Sequence, residues 1–516
     1  MPASMTDETA AQERIFQTLT AHTGVVRIDT HGASVFLDGD RALKIKRAVK
    51  FPFLDYSTLD KRKAACEEEI RINRPLAPQI YHRVVAITEE PDGSVKIDGR
   101  GRPIEYAVDM SRFDENRTLD HLAKAGPLGA ELALAIADAI ASSHARATVA
   151  DGAAWINSIP ALIDGNGTGL SNGDHLEATA IEQLGKASHL AFLNLRATLE
   201  QRALHGSVRR CHGDLHLANI VLIDRQPVLF DAIEFDAQMA TVDVLYDLAF
   251  TLMDLLRYDQ ADAANAVLNQ YLINAPVETL DALAALPLFM SIRASIRAQV
   301  ALARLSRPNA DRPEILSEAR RYFELARTLI HPPAPRLIAV GGLSGTGKSV
   351  LARALAPTVA PRPGAVVVRS DVIRKQLFQV GHTDRLPPST YRPDVTARVY
   401  EVLMQRARQV LAQGHSVIVD AVFARESERD DLAALARACG VPLNGLFLVA
   451  DLATRQDRIG GRRGDASDAT QEVAARQEHY SIGHVGWTTI DASGTPGQTL
   501  QNCRDAIAEG QVRQSE

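Results

Sequence analysis

Leu337-Ile-Ala-Val-Gly-Gly-Leu-Ser-Gly-Thr-Gly-Lys-Ser349 decides how the second half of this chain folds. From Gly342 onward it satisfies GxxxxGK[ST] at every fixed position. The apolar run Leu337–Val340 reads as a buried strand, and Ser349 to Leu355 reads as a helix. Strand, glycine loop and helix, in that order, form the setting in which such a loop cradles phosphate. Gly342, Ser344, Gly345, Thr346 and Gly347 allow backbone N–H groups to turn inward around phosphate oxygens. Lys348 brings a positive charge to the β- and γ-phosphates, and Ser349 offers a hydroxyl to Mg²⁺. The helix N-terminus adds its own partial positive charge.

Outward from this loop, strands and helices alternate. The expected strands are 337–341, 365–370, 416–420, 445–450 and 487–491. Alternation predicts a doubly wound parallel sheet with helices on both faces. Asp371 and Asp420 stand at the carboxyl ends of two of these strands, where ligands bind in open α/β sheets. Asp371 is suited to take a proton from an attacking hydroxyl, and Asp420 to hold a magnesium-bound water. A third cluster runs from Arg455 to Asp468. In it, Arg458 and Arg462 share a face if the helix continues, and Gly460-Gly461 makes a break. Arginines on a mobile segment beside a P-loop commonly neutralise a transferring phosphate.

His331-Pro-Pro-Ala-Pro335 is the clearest boundary, because three prolines in five residues cannot continue a helix. It divides the chain into residues 1–330, the linker 331–335 and residues 336–516. The first part opens with short β-prone runs at 25–28, 34–37, 42–45, 84–87 and 106–110, then turns mostly helical from about Leu119. Strands first and helices later predict two lobes. Asp164-Gly-Asn-Gly-Thr-Gly169 reads as a loop within this part.

The chemistry-bearing stretch of the first part is Cys211-His-Gly-Asp-Leu-His-Leu-Ala-Asn219, with Val228-Leu-Phe-Asp231 after it. Asp214, Asn219 and the strand-end Asp231 follow the HxDxxxxN…D spacing of kinase-like catalytic loops. Asp214 is placed to accept a proton from a hydroxyl. Asn219 and Asp231 offer oxygen ligands to Mg²⁺, a hard cation. Upstream, Ala42-Leu-Lys44 is similar to the lysine strand of kinases, with Lys46 on the same face as the alternative. Glu67, Glu68 and Glu69 are the acids that could pair with it, and Glu69 is preferred.

Two resemblances follow from these motifs. His212-Gly-Asp-Leu-His216 and Leu245-Tyr-Asp247-Leu-Ala249 resemble the aminoglycoside and choline phosphotransferase group over roughly residues 20–330. Thr30-His-Gly-Ala-Ser34, with one glycine, departs from a glycine-rich loop. The P-loop, Arg369-Ser-Asp371 to Arg374, Asp420 and the arginine cluster resemble the small P-loop kinases of the zeta-toxin, polynucleotide-kinase and gluconate-kinase type over about 336–508. These resemblances imply a two-lobed protein-kinase-like domain followed by a P-loop NTPase domain. They imply ATP and Mg²⁺ as cofactors, Asp371 as the base, and Arg374 in contact with the substrate.

Composition is that of an ordinary globular protein: 516 residues, 46% hydrophobic and 23% charged, net −6. Residues 336–516 hold 22 basic and 19 acidic residues, the remainder 35 and 44. Neither half is basic enough for non-specific nucleic-acid binding, and no aromatic-interleaved basic stripe suits an RNA or DNA end. Residues 224–262 carry nine acids and two bases, which fits either a cationic acceptor or metal ligands, caps and solvated groups. Four cysteines without a CxxC pair suit a reducing cytoplasm. The N-terminus lacks an export pattern, and the most apolar stretch, 128–141, reads as an amphipathic core helix. The expectation is a cytoplasmic enzyme with two kinase-type sites acting on small-molecule hydroxyls, sugars and amino sugars among them. The alternatives are one catalytic and one regulatory domain, or a nucleic-acid end kinase.

Overall fold

The computed structural model describes residues 5–21, 24–51, 54–306, 310–381, 384–461 and 466–515. It contains two compact units: residues 1–162 with 199–258, and residues 163–198 with 259–516. The proline segment 331–335 lies inside the second unit.

In the first unit, helix α1 (Met5–Thr20) precedes strands β1 (Val26–Asp29), β2 (Ala33–Asp38) and β3 (Arg41–Lys46). Helix α2 (Leu59–Asn73) follows, then β4 (Tyr81–Glu89), β5 (Val95–Ile97) and β6 (Arg102–Ser111). The six strands form one antiparallel sheet in the order β1-β2-β3-β6-β4-β5. Alternation along β3 divides its side chains. Leu43 and Ile45 join Phe16 and Leu19 of α1 in one core. Ala42 joins Cys66 of α2 in another, and Lys44 and Lys46 share its face. Thr58 caps α2 by accepting from the Lys61 N–H.

Helix α3 (Ala130–Arg146) is amphipathic as expected, with Ala133, Ile136, Ala137 and Ile140 buried. Strand β7 (Val208–Arg210) leads into the catalytic-loop stretch. After it come the hairpin β8 (Ile220–Ile223) and β9 (Gln226–Leu229), then β10 (Thr241–Asp243) and α4 (Val244–Arg257). Strand β10 pairs with β7. Every residue of α4 from Val244 to Leu256 is buried.

The glycine-punctuated segment 164–169 corrects the sequence expectation: it is helical, within Ala153–Ser171. Packing overrides propensity there. Ile163, Asn166 and Leu170 are buried on one face, and a Cβ on Gly169 would stand 2.2 Å from Gln299 Oε1. Among the described residues one helical stretch, Val277–Ser306, is long and apolar enough to cross a membrane, and most of its apolar window is buried within the protein. It reads as a core helix.

The second unit contains helices α5 (Ala261–Asn274), α6 (Leu286–Ala303) and α7 (Arg312–Leu329). Strand β11 (Leu337–Gly342) and helix α8 (Lys348–Leu355) flank the P-loop. Next come β12 (Val366–Arg369), α9 (Ser370–Leu377), α10 (Pro393–Ala412) and β13 (Val417–Asp420). Then follow β14 (Leu443–Val449), α11 (Leu452–Gly460), α12 (Gln471–Gln477), β15 (Thr488–Asp491) and α13 (Pro496–Ser515). The sheet is parallel, in the order β12-β13-β11-β14-β15. This is the doubly wound α/β fold expected from the alternation. Its core joins Ile338 and Val340 of β11 to Leu351 and Leu355 of α8, and to Ile507 of α13.

Strand β12 is an edge, and a helix satisfies it. Asn269 of α5 accepts from the Val367 N–H at 2.7 Å and donates to the Ala365 carbonyl at 3.1 Å. One side-chain amide thereby does the work of one residue of a further parallel strand. Asn265, one turn earlier, donates to the same carbonyl at 3.0 Å. Gly364, at φ +118°, admits this approach, since a Cβ there would stand 2.6 Å from Asn265 Nδ2. Asn269→Ala removes both edge bonds, which should destabilise the second unit by about 1–3 kcal/mol. Hydrogen exchange of the 365–369 peptide should accelerate while the 337–342 peptide is unchanged. Equal protection of residues 365–369 in both proteins would refute the brace.

Candidate active sites

In the first unit a chain of alternating charges crosses three elements. Lys44 Nζ donates to Glu69 Oε1 at 2.8 Å and to Asp231 Oδ1 at 2.6 Å. Lys46 Nζ pairs with Glu69 Oε2 at 2.6 Å, outside hydrogen-bond angles, and also with Glu234. Glu67 and Glu68 turn elsewhere, to Lys63 and Arg71. Glu69 thus meets both candidate lysines, and only Lys44 reaches Asp231. Burial opposes the charge on Glu69, but Lys44 and Lys46 hold its carboxyl below the ordinary glutamate range. Burial likewise opposes the charge on Asp231, and Lys44 holds it low. Burial pulls Lys44 down, and Asp231 and Glu69 more than reverse this. Asp231 itself has φ +61°, a strained backbone for a residue with a side chain. Its N–H donates to the Tyr81 hydroxyl at 3.1 Å.

Asp214 and Asn219 sit together, the Asn219 amide donating to the Asp214 carbonyl at 2.8 Å and carboxylate at 3.1 Å. The loop carrying them is held by one face of α4. Asp247 accepts from the backbone N–H groups of His212 and Gly213. Thr251 donates to the Leu215 carbonyl, and Asp254 accepts from the Leu217 N–H. These three residues follow i, i+4, i+7 spacing, so one helical stripe grips successive peptide groups. His144 lies 3.2 Å from Asp247 and packs behind the loop. Three acids of the segment 224–262, Asp243, Asp247 and Asp254, are fully buried and hold chain, with Asp243 on Arg202. The stripe is legible as polar residues at helical spacing inside an apolar run, of which Asp247 alone belongs to a motif quoted above.

In the second unit Gly345 and Gly347 take φ +91° and +94°. A Cβ on Gly345 would stand 2.6 Å from the Arg455 carbonyl. Arg455, fully buried, supports the P-loop from behind. Its Nε donates to the Ser344 carbonyl at 2.9 Å, and its Nη groups reach Glu478 and the Ala474 carbonyl. Ser344 N–H donates to Gln477 Oε1 at 2.7 Å. Lys348 Nζ donates to the Leu343 carbonyl at 3.0 Å. Ser349 Oγ donates to Asp420 Oδ2 at 2.5 Å. Arg455 and Gln477 are site residues the sequence analysis passed over. Arg455 stood in the noticed arginine cluster, but nothing local marked it as the buried one.

A cavity of about 1730 Å³ lies over the P-loop, large enough for a nucleotide and a second small molecule. Asp371, Arg374, Tyr391, Asp420 and Arg458 are among its lining. Burial raises the Asp371 carboxyl above the ordinary aspartate range; Arg369 counters this and Asp420 adds to it. Arg374 is 6% exposed. Its guanidinium donates to the Thr390 carbonyl at 2.6 Å and Thr396 Oγ1 at 3.3 Å, and lies 4.6 Å over the Tyr391 ring. Its Nε has no hydrogen-bond partner. Arg458 donates to the Gly494 carbonyl at 2.8 Å. Helix α11 stops at Gly460, and Arg462 lies outside the described residues. Asp231 with Asn219, and Ser349 with Asp420, are hard oxygen donors of the kind that suit Mg²⁺.

The AAA domain family matches residues 337–480, the P-loop half. Among solved structures, a gluconokinase from Sinorhizobium meliloti 1021 aligns with 35% of this chain and 98% of its own, at 21% identity and a TM-score of 0.27. A choline/ethanolamine kinase family protein from Mesorhizobium loti aligns with 64% of this chain and 96% of its own, at 16% identity and a TM-score of 0.38. The uncharacterized protein Rv2004c of Mycobacterium tuberculosis (strain ATCC 25618 / H37Rv) is 31% identical over 499 residues, 93% of this chain and 95% of its own length. Both halves and their order are thus shared nearly end to end, and the chain belongs to the same family as this mycobacterial protein.

Proposed function

We propose that the chain is an ATP-dependent phosphotransferase with two kinase-type sites, each moving the γ-phosphoryl of ATP to a hydroxyl of a small molecule. One observation carries the reading for the first site: Lys44 joins Glu69 and Asp231 beside the Asp214–Asn219 pair. A lysine held by a buried glutamate is set to meet the phosphates of ATP. Asp231 and Asn219 would hold Mg²⁺, and Asp214 would accept the proton of the acceptor hydroxyl. In the second site the P-loop and Lys348 take the phosphates, and Ser349 and Asp420 hold Mg²⁺. Asp371 is the base, and Arg458, with Arg462 as the second arginine expected from the sequence, would neutralise the transferring group. Mg²⁺, when bound, would supply neutralisation of the developing phosphate charge. In this reading residues 1–330 and 336–516 are the two functional regions, joined by 331–335. The absence of a basic stripe disfavours nucleic-acid ends as acceptors. Four free cysteines fit work in the reducing cytoplasm.

Arg374 describes the second acceptor. Among the described residues its buried guanidinium hydrogen-bonds neutral oxygens, with the Asp371 and Asp468 carboxylates close enough to act on its charge, and it faces the cavity where an anionic group of the acceptor could meet it.

The test is ADP release by the full chain across polyols, sugars, amino sugars and nucleosides. Asp214→Ala and Lys348→Ala separate the sites. Each productive acceptor should lose turnover in one of these variants. Acceptor-dependent turnover that survives in the double variant would sink the reading, as would its complete absence from the unaltered chain.

Asp371→Asn should keep ATP affinity, measured by calorimetry, and lower transfer at the second site by about 10²–10⁴-fold. The raised Asp371 carboxyl also places the acid limb of this activity above the ordinary aspartate range, since the base must be ionised to work. Loss of ATP binding together with transfer would make Asp371 a structural residue.

A further inference from the structure

Arg369 is the last residue of β12, two before Asp371, and pairs in register with Asp420 of β13. Its Nη2 donates to Ser349 Oγ at 2.9 Å, and its Nε donates to Asp420 Oδ2 at 3.2 Å. Ser349 in turn donates to the same Asp420 oxygen. One guanidinium therefore spans both oxygens read above as Mg²⁺ ligands. Its side chain is 11% exposed and that of Asp420 is 4% exposed, so their charges meet with little water between them. Arg369 is also the chief attraction offsetting the burial of Asp371.

We propose that Arg369 is a resident counter-cation of the second metal site. It keeps Ser349 and Asp420 together as ligands, and it yields its hold on them when Mg²⁺ arrives with the nucleotide. The inference rests on the phosphotransferase reading of this half. The physical reason is charge. Two carboxylates near one another in a water-poor site need a compensating cation, and a guanidinium and Mg²⁺ cannot both occupy the space between the same two oxygens. A site compensated in this way holds divalent metal weakly by itself and strongly with nucleotide, whose phosphates offer the displaced guanidinium new acceptors. The geometry makes Arg369 a gate against metal binding without nucleotide. It is a positioning residue in this role.

The experiment uses Mn²⁺ as the probe, titrated by electron paramagnetic resonance into the full chain. Asp231→Asn is present throughout to remove the carboxylate ligand of the first site. Arg369→Met and Arg369→Lys are compared with the arginine protein, with and without a non-hydrolysable ATP analogue. Without nucleotide, Arg369→Met should bind Mn²⁺ at least about tenfold more tightly, because a fixed positive charge is gone. With the analogue the difference should shrink below about threefold. Arg369→Lys retains the charge, keeps a foldable comparison if the methionine variant is unstable, and should bind like the arginine protein. Equal Mn²⁺ affinities without nucleotide would overturn the inference, provided Asp420→Asn abolishes binding. If Mn²⁺ binding ignores Asp420→Asn, the metal-site reading itself fails, and the inference with it.

Discussion

Glu69 has no exposed surface, and its two oxygens face two lysines. A carboxylate so placed persists in its charged form only because those cations are there. The consequence is architectural. Lys44 and Lys46 lie on β3, Glu69 on α2, and Asp231 and Glu234 on the loop after β9. Each charge is costly without its neighbours, so the three elements are held in one relation by pairing as well as by apolar area. Removing Glu69 would leave two buried ammonium groups facing each other with fewer acids between them. The second unit obeys the same constraint on a smaller scale, with Arg369, Ser349, Asp420 and Asp371 gathered at the ends of two parallel strands.

Strand register explains why those four meet. In β12 and β13 the parallel pairing sets Arg369 opposite Asp420, and the same register sets Val340 of β11 opposite Asp420 on its other side. The P-loop begins two residues beyond Val340. A one-residue slip of β12 would turn its side chains to the other face of the sheet. Register at an edge is weakly protected, because one side of the strand has no partner. Asn269 supplies that partner from α5, and the Gln376 side chain of α9 donates to the Ile273 carbonyl at 3.3 Å. Helix α5 therefore braces the strand and the helix that carry Asp371 and Arg374. This also accounts for the compact second unit beginning well before the proline segment.

What the sequence disclosed divides along the same physical line. Asp214, Asn219, Asp231 and the P-loop residues occupy short stretches whose backbone shape follows from local chemistry, so spacing alone singles them out as candidates. Lys44 and Lys46 lie on one face of a strand, and period two cannot choose between them. Glu67, Glu68 and Glu69 each point about 100° apart on α2, and only the packing of α2 against the sheet decides which turns inward. The loop reading of 164–169 failed because glycine propensity is local, while the contact with Gln299 that fills the space comes from far along the chain. Asn269 gave no signal at all: its partners Val367 and Ala365 are nearly one hundred residues away, and an asparagine in a helix has no distinctive pattern.

The two candidate sites hold their loops by different means. In the first unit, the stretch 211–219 makes no long ladder of its own, so its peptide groups are gripped one by one by Asp247, Thr251 and Asp254 on α4. Buried acceptors satisfy N–H groups that water cannot reach, and a carboxylate does so more strongly than a neutral oxygen. In the second unit Arg369 and Asp420 stand at strand ends, where the sheet already orders the backbone, Ser349 opens helix α8, and their side chains act on one another. The first arrangement concentrates its dependence in a single helical stripe, and the second spreads it over the register of a whole sheet. A conservative change on α4 can therefore disturb the first loop without entering the site. In the second unit, a comparable disturbance has to come through the strand itself or through the brace at its edge.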